Sequence, residues 1–564
     1  MKLNNKWGYG QLFGFSAIEG PNRYYFDNIL ITMHKKGEFR FEYRPYWIKF
    51  NFPTKSPLSI KYIMSDFFVA SCKEGEILLT FYDNDTLVGV APTLPIFKGE
   101  KKLEEITERN VKVYGLGGHY VGILAKERED GLFEFVIHHS FCSTEARAGC
   151  NHIFGTYNIN NLMEKRISYY RELPKCLDKK YEKLYYKCLS VNKVNVNSPV
   201  GQIDSLWTTP DRVPHRHMWM WDSAFHAMAF STYNLPLAEE IFLAMLKQTR
   251  ENGFMPHMAN PTDMSDVTQP CVMSYAAYWV YERGHNLEFL KQCVPYLEKY
   301  LTYDLKNRDK NNNGLLEWLT EPDYELCKCG ESGLDNSPRF DFDIEMDCLD
   351  FTSYFVLDTL YLSKIYELLG DQENAAKWMK IHLETKDKVN ELLWSEEDGM
   401  YYDRLFNGEL TKVLTNSNFV PLFAGIPSKE RVEKMMKVLF DETLLNTPAS
   451  FASISKKDPR YSTDMWRGGV WINFNYFIIK GLKQYGFKKE ADEVRNRTLE
   501  MIDKWYKKTG VVFEFYDPED QISPFYCERK GKQPKVPDYR KHVHSIADFN
   551  WSCCFAMLLI QGDY

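Results

Sequence analysis

The sequence predicts an N-terminal antiparallel β-sandwich followed by a C-terminal all-α (α/α)6 barrel, and three observations carry that expectation. The chain has 564 residues, more than one ordinary core accommodates. Apolar and polar residues alternate with period two from about residue 20 to about 155, and the alternation then stops. Beyond about residue 198 the apolar residues recur at helical spacing as far as the C-terminus. The expected boundaries are 1–160 for the sandwich, 161–197 for a linker and first helix, and 198–564 for the barrel.

In chain order, the opening Met1-Lys2-Leu3-Asn4-Asn5-Lys6-Trp7-Gly8 lacks the apolar centre of a secretory leader, and no run of about 18 apolar residues follows. A soluble, cytoplasmic protein is expected. Glu38-Phe39-Arg40-Phe41-Glu42-Tyr43 and Glu76-Ile77-Leu78-Leu79-Thr80-Phe81 read as strands. Turn signals separate such runs at Lys35-Lys36-Gly37, Asp83-Asn84-Asp85 and Asp130-Gly131, the last just before Leu132-Phe133-Glu134-Phe135-Val136-Ile137. A sandwich here serves either as a carbohydrate-binding module or as a support for the next domain. From 161 to 197 the composition turns charged, with a helical stretch from Asp178 to Leu189.

The remainder carries helices of two kinds. Leu237, Ile241, Ala244 and Met245 share one face, as do Leu290, Cys293, Val294, Leu297 and Leu301, and Ala491, Val494, Thr498 and Met501. By contrast, Cys348 to Leu369 and Val470 to Leu482 are apolar on nearly every side. One-sided helices suit an outer layer and all-apolar ones an inner layer, which is the alternation of a helical toroid. No short repeat is visible, which argues against a solenoid.

Composition excludes several functions. A net charge of -7 leaves no basic surplus for nucleic acid or an anionic membrane. Thirteen cysteines without a disulfide framework are expected to be reduced and buried. Neither Cys327-Lys328-Cys329 nor Cys553-Cys554 has the spacing of a zinc or thioredoxin site. Asp309-Lys310-Asn311-Asn312-Asn313-Gly314 starts like a calcium loop, but Thr320 stands where the closing Glu belongs, so a glycine turn is expected. Aromatic residues make up 15% of the chain, which suits either a large aromatic core or rings laid over sugar faces.

The chemistry points to sugars. In Glu331-Ser332-Gly333-Leu334-Asp335-Asn336-Ser337-Pro338-Arg339-Phe340, Gly333 and Pro338 keep Asp335 out of regular helix. Glu514 lies among aromatic residues in Gly510-Val511-Val512-Phe513-Glu514-Phe515-Tyr516-Asp517-Pro518, just before a turn. Two carboxylates on rigid, partly apolar loops suit hydrolysis of a glycosidic bond, one protonated to release the leaving oxygen and one ionised to activate water. Three further loops precede helices: His215-Arg216-His217-Met218-Trp219-Met220-Trp221-Asp222, Gly253-Phe254-Met255-Pro256-His257 and Asp464-Met465-Trp466-Arg467-Gly468-Gly469. Trp219 and Trp221 would offer ring faces to a pyranose, with Asp222 and Arg467 bonding its hydroxyls. Competing acids are Glu317, Glu331, Asp347 and Asp350 for the first role, and Asp517 and Glu519 for the second.

The Glu331–Arg339 run, Trp466-Arg467-Gly468-Gly469-Val470-Trp471-Ile472-Asn473 and Phe513-Glu514-Phe515-Tyr516-Asp517-Pro518 resemble the motifs of glycoside hydrolase family 63. Trehalases and bacterial glucosylglycerate and mannosylglycerate hydrolases are similar in the same places. The resemblance covers residues 200 to 564 and implies an (α/α)6 barrel and an inverting, exo-acting α-glycosidase for a small α-glucoside or α-mannoside. By position it implies Asp335 as general acid and Glu514 as general base. It also implies a sugar subsite from Met218–His226 and Phe549-Asn550-Trp551-Ser552, so the expected binding residues are Trp219, Trp221, Asp222, His257, Arg339, Trp466, Arg467 and Trp551. No metal or cofactor is required, and the expected partner is a small carbohydrate. The chain departs from the pattern at Gly469, where many relatives have Pro, and in a Pro- and Lys-rich insert from Gln521 to Tyr539 expected to reshape the leaving-group side.

Inversion calls for carboxyl groups about 6.5–9.5 Å apart and for a protonated Asp335. Burial beside Leu334 and Phe340 favours the proton and a close Arg339 opposes it, so the sequence leaves the balance open. Two other classes stay in play, a sugar epimerase working through a pair drawn from His215, His217, His257, His542 and His544, and a silent carbohydrate-binding protein. Release of a reducing sugar from a glycoside separates the three.

Overall fold

The protein is described here by a computed structural model that covers residues 30–35, 38–43, 48–83, 85–99, 104–108, 110–116, 118–211, 215, 217–321, 327–341, 345–531 and 544–564. Lys36, Gly37, Asn84, Arg216, His542 and the 532–539 part of the insert lie outside the described residues. The chain divides into two compact units. One comprises Met1–Ser198, Asp211–His215 and Lys504–Val512, the other Pro199–Pro210, Arg216–Asp503 and Phe513–Tyr564.

The first unit holds strands β1 (Leu30–Lys35), β2 (Glu38–Tyr43), β3 (Ile48–Asn51), β4 (Ser59–Ile63), β5 (Phe67–Cys72), β6 (Gly75–Phe81), β7 (Thr86–Ala91), β8 (Ile96–Lys98), β9 (Glu104–Glu108), β10 (Val111–Leu116), β11 (His119–Glu127) and β12 (Phe133–Ser140). They form an eight-stranded antiparallel sheet in the order β4-β5-β6-β7-β12-β11-β10-β9 and a four-stranded sheet in the order β1-β2-β3-β8. The expected turn at Asp130-Gly131 joins β11 to β12, with Gly131 at φ 79° and Leu132 N–H donating to Asp130 at 3.2 Å. Phe50 of the smaller sheet meets Phe135 of the larger one with ring centroids 6.0 Å apart. Gly89 makes room for that ring, because a Cβ there would lie 2.5 Å from Phe135.

Helices α1 (Ser143–Ile153), α2 (Ile159–Glu172) and α3 (Glu182–Val194) complete this unit. The 161–197 stretch, expected as a linker and the first helix of the second domain, is grouped with the sheets. Lys193 of α3 donates to Asp66 at 2.8 Å with both side chains fully buried, and Tyr170 of α2 donates to the other Asp66 oxygen at 2.8 Å. A buried ammonium without that carboxylate would be expensive, so the pair fixes where α2 and α3 lie.

The second unit is helical: α4 (Met220–Phe230), α5 (Leu235–Leu246), α6 (Met273–Gly284), α7 (Leu287–Asn307), α8 (Leu349–Leu368), α9 (Gln372–Leu392), α10 (Val420–Phe423), α11 (Lys429–Leu439), α12 (Ile472–Gln484), α13 (Lys488–Thr509, grouped with the first unit from Lys504 on) and α14 (Asn550–Gln561). Helices α4, α6, α8, α10, α12 and α14 touch one another in that order, and α14 returns to α4. Their shared core is aromatic: Phe225 packs on Phe477 and Phe555, and Phe477 stacks on Phe423 at 4.7 Å. The faces read from sequence on α5, α7 and α13 are buried, except for the half-buried Val294.

The helices of this unit begin in different ways. Helices α7, α9 and α11 are capped by their own Asn286, Asp371 and Ser428, worth about 1 kcal/mol each. Helices α4, α6 and α8 start from Trp219, Val272 and Cys348, which supply no such bond. Distant side chains supply it instead. Gln269 accepts from Trp221 N–H, Asp358 from Ser274 and Tyr275 N–H, and Asp403 from Leu349 N–H. The starts of these helices are therefore bound to neighbouring elements, the α4 start to the loop before α6, the α6 start to the middle of α8 and the α8 start to the segment after α9, and the loops before them carry the candidate site.

No disulfide forms among the described residues, and of the thirteen cysteines all but Cys72 and Cys142 are buried. Among the described residues no helix is long and apolar enough to cross a membrane.

Candidate active site

The Asp335 loop is anchored on both sides of its acid. Glu331, fully buried, accepts from Thr268 N–H (3.1 Å), Leu319 N–H (2.7 Å) and Arg308 (2.6 Å). Gly333 has φ 69°, and a Cβ there would lie 2.5 Å from the Trp221 ring, so this position requires glycine for conformation and for space. Asn336 accepts from Trp466 N–H at 3.0 Å. Between these anchors the half-buried Asp335 carboxylate meets the Lys530 ammonium at 2.5 Å.

The Glu514 loop is held by isolated backbone bridges on either side of its acid. Glu514 N–H donates to Ile546 C=O (2.8 Å), Phe515 N–H to Ser545 Oγ (3.0 Å), and Tyr516 exchanges both backbone bonds with Val470. The Glu514 carboxylate is buried and takes a two-point bond from Arg529, Nε at 2.8 Å and Nη2 at 3.0 Å. Asp517 accepts from Glu519, Gln521 and Ile522 N–H and thereby makes the turn its sequence predicts.

Consecutive residues thus hold the two carboxylates. Lys530 (φ 59°) and Gly531 (φ 73°) both adopt the left-handed region, which at a lysine costs about 1–3 kcal/mol and persists only where the surroundings enforce it. Here they do. Met465 N–H donates to Glu528 C=O (3.1 Å), Gly531 N–H to Asp464 (2.7 Å), and Glu528 bridges to His544. Burial pushes the Lys530 ammonium down, but the charge and hydrogen bond of Asp335 raise it, and Lys530 ends above the ordinary lysine range. Desolvation takes the His257 imidazole down to about 4 despite the pull of Asp335, with His217 adding to the fall. Burial raises the Cys327 thiol well above its usual range.

The expected binding residues divide by exposure. Trp219 is half-buried and meets His257 edge to face at 4.8 Å. Trp221 and Trp466 are 1% exposed and Trp551 4%, too little for a sugar to lie on any of these rings. The ring face expected of Trp221 is corrected: with Trp466 and Trp551 it belongs to one packed aromatic cluster. Trp221 meets Trp551 at 5.0 Å, Trp551 meets Trp471 at 5.9 Å, and Trp471 stacks on Trp466 at 3.6 Å. Trp466 Nε1, Trp551 Nε1 and both amide atoms of Asn473 are nonetheless buried without a hydrogen-bond partner among the described residues.

The other expectations fare unevenly. Arg339 is also corrected: all five of its N–H donors go to Asp350, Asp403 and Ser417 at 2.5–3.0 Å, leaving none for a substrate. Arg467 grips Asp341 with two bonds of 3.0 and 2.7 Å and is a quarter exposed. Asp222 is buried in the first turn of α4. His215 pairs with Asp211 at 2.5 Å.

The competing acids hold structure. Beyond Glu331, Glu317 accepts from Lys310 N–H and is raised by burial to about 7. Asp350 binds Arg339 and Trp318, and Asp347 accepts from Asn311, Asn313 and Arg404. The last set organises the Asp309–Gly314 turn, where Asp309 accepts from Asn313 and Gly314 N–H. Among the described residues no group of three or more His, Cys, Asp or Glu side chains is arranged to hold a metal ion. Sequence reasoning missed Arg529, Lys530 and Asn473 as individual residues. Arg529 and Lys530 sit in the flagged insert and Asn473 in a quoted motif, but no spacing or periodicity singles them out.

Known proteins share this arrangement of elements. Residues 215–552 match the profile of the mannosylglycerate hydrolase MGH1-like glycoside hydrolase domain. The mannosylglycerate hydrolase of Rubrobacter radiotolerans is 24% identical over 406 residues, spanning 55% of this chain and 88% of that protein. An uncharacterized protein of Borreliella burgdorferi is 29% identical over 267 residues, 46% of this chain and about half (53%) of its own length. The crystal structure of the family 63 mannosylglycerate hydrolase of Thermus thermophilus in complex with Tris superposes with a TM-score of 0.54 at 20% identity, covering 66% of this chain and 99% of that one.

Proposed function

The chain belongs to the mannosylglycerate hydrolase MGH1-like glycoside hydrolase family and is a glycoside hydrolase, and from this premise we propose that it removes one sugar from a small α-mannoside or α-glucoside with inversion. We read the round of inner helices from α4 to α14, each alternating with an outer one, as an (α/α)6 barrel. Asp335 is the general acid and Glu514 the general base. One observation supports the pairing above the rest. Both carboxylates converge on the dipeptide Arg529-Lys530, whereas Glu317, Glu331, Asp347, Asp350 and Asp517 are committed to backbone and structural bonds. The similarity to mannosylglycerate hydrolases makes mannosylglycerate the first substrate to try.

The chemistry then runs on this chain's own groups. Protonated Asp335 gives its proton to the glycosidic oxygen as the bond to the anomeric carbon breaks. Ionised Glu514 takes a proton from the water that attacks the opposite face. Arg529 uses one lone pair on each Glu514 oxygen and Ile546 N–H takes the second on Oε2, so Oε1 is the oxygen that would hold that water. Trp466 Nε1, Trp551 Nε1 and the Asn473 amide are buried polar atoms whose unmet bonds cost about 1–3 kcal/mol each. Sugar hydroxyls would satisfy them, so these groups and the Trp219 edge form the sugar subsite.

Asp335→Asn and Glu514→Gln keep shape and lose only proton chemistry. Each is expected to lower kcat about 10²- to 10⁴-fold with an unchanged circular dichroism spectrum. Near-normal turnover in either purified variant removes that residue from its role. Stereochemistry tests the water-mediated step separately: proton NMR in the first minutes should show the β-anomer released from an α-glycoside, and an initial α-anomer would mean that Glu514 acts as a nucleophile.

A further inference from the structure

Lys530 stands against Asp335 and Arg529 against Glu514, on adjacent residues of one strained turn whose backbone is tied to Asp464, Met465 and His544. We propose that Arg529 and Lys530 are positioning residues, Arg529 orienting Glu514 and Lys530 setting the charge on Asp335, and that Lys530 thereby confines turnover to acidic solution. The inference rests on the acid and base roles proposed above. For Glu514 the arrangement is simple. A guanidinium held by two bonds fixes the orientation of the buried Glu514 carboxylate. For Asp335 the neighbouring cation acts on the proton itself, because a general acid must carry a proton and an ammonium at 2.5 Å favours the form without one.

The other groups facing Asp335 do not offset this. His257 is taken down to about 4, so it is neutral through most of the pH range, and His217 beside it acts in the same direction. Cys327 is held as a neutral thiol by burial. Around Lys530 the charged neighbours are Asp335 and Arg529. Of these groups, Lys530 is the one whose positive charge bears directly on the acid across the working range. The productive state, with Asp335 protonated and Glu514 ionised, then ends on its basic side at a limit that Lys530 lowers.

The test is the pH dependence of kcat/KM, whose limbs report the free enzyme's acid and base. Lys530→Met is expected to move the basic limb upward by about 1 to 3 pH units and to leave the acidic limb in place. Lys530→Arg, which keeps the charge, is expected to keep the wild-type profile. An unmoved basic limb in folded, active Lys530→Met overturns the inference, as does loss of activity at every pH, since removing the cation should leave the acid competent. A purely structural lysine would lower activity without moving either limb.

If Lys530→Met does not fold, carbodiimide labelling of wild-type Asp335 across pH, read by peptide mass spectrometry, carries the test. Labelling of protonated Asp335 confined below about pH 4, the ordinary aspartate value, is expected; half-labelling at pH 6 or above overturns the inference. The Asp335→Asn variant keeps the two readings apart. Full activity there removes the acid assignment itself, whereas an inactive Asp335→Asn with an unmoved Lys530→Met limb removes only the role of Lys530.

Discussion

Two sets of arginine–carboxylate pairs lie within the second unit, and their difference separates what holds the fold from what does the chemistry. Arg339 gives all five N–H donors to Asp350, Asp403 and Ser417. Those acids are in turn occupied by Trp318 Nε1 and by the Leu349 and Phe351 N–H groups. Every member is buried and satisfied. The Arg529-Lys530 set is sparser and partly open, with Asp335 20% and Lys530 14% exposed by side chain, and it hangs on a left-handed lysine. A closed network stabilises one geometry. An open one keeps a carboxylate within reach of water or substrate, which a reaction needs and a scaffold does not.

The sharpest way to break the contrast is Arg339→Met. It leaves Asp350 and Asp403 buried without their counter-charge and strips the turn beneath the acid loop. A loss of about 3–5 kcal/mol is expected, read as a fall in the urea midpoint at unchanged slope. A loss no larger than that of Arg467→Met, whose Asp341 pair is partly exposed, would put both pairs in one class.

Gly333→Ala comes second. The added methyl must push the Trp221 ring, itself wedged against Trp551 at 5.0 Å and Phe225 at 5.7 Å, and must also hold a positive φ. A cost of about 1–3 kcal/mol from crowding alone is expected. Because Asp335 lies two residues on, kcat should fall as well. Unchanged stability and kcat would mean that the aromatic cluster yields to the acid loop rather than supporting it.

These residues also show what a sequence displays and what it hides. The all-apolar runs of α8 and α12 and the one-sided faces of α5, α7 and α13 were legible because helix periodicity is local. So was the Asp335 loop, marked by Gly333 and Pro338. Partners far along the chain were not. Lys187 and Lys193 lie in a charged stretch that reads as linker, yet both are fully buried, Lys193 because Asp66 waits 127 residues away. Arg339 sits in the right motif for a substrate contact, but Asp403, 64 residues on, claims it. Trp221 falls one position inside α4, where the ring turns into the core, while Trp219 precedes the helix. Arg529 and Lys530 resemble any pair of surface cations until the turn folds them onto the carboxylates.

The smallest predicted effect tests the open side of the comparison at Trp219. Its ring is half-buried and touches His257 by an edge, so it contributes little to the core and has area to give a ligand. If it borders the sugar that every substrate shares, Trp219→Ala removes a ring contact worth about 0.5–1.5 kcal/mol. KM should then rise about 2- to 10-fold, with kcat within a factor of two or so and with the denaturant midpoint unchanged. The rise should be the same for a mannoside and for any second substrate with the same sugar and another leaving group. A rise confined to one leaving group would move Trp219 to the far side of the scissile bond. A fall in stability as large as that of Gly333→Ala would mean that Trp219, like Trp221, belongs to the packed cluster, and the sugar subsite would then rest on Asn473 and the indole N–H groups of Trp466 and Trp551 alone.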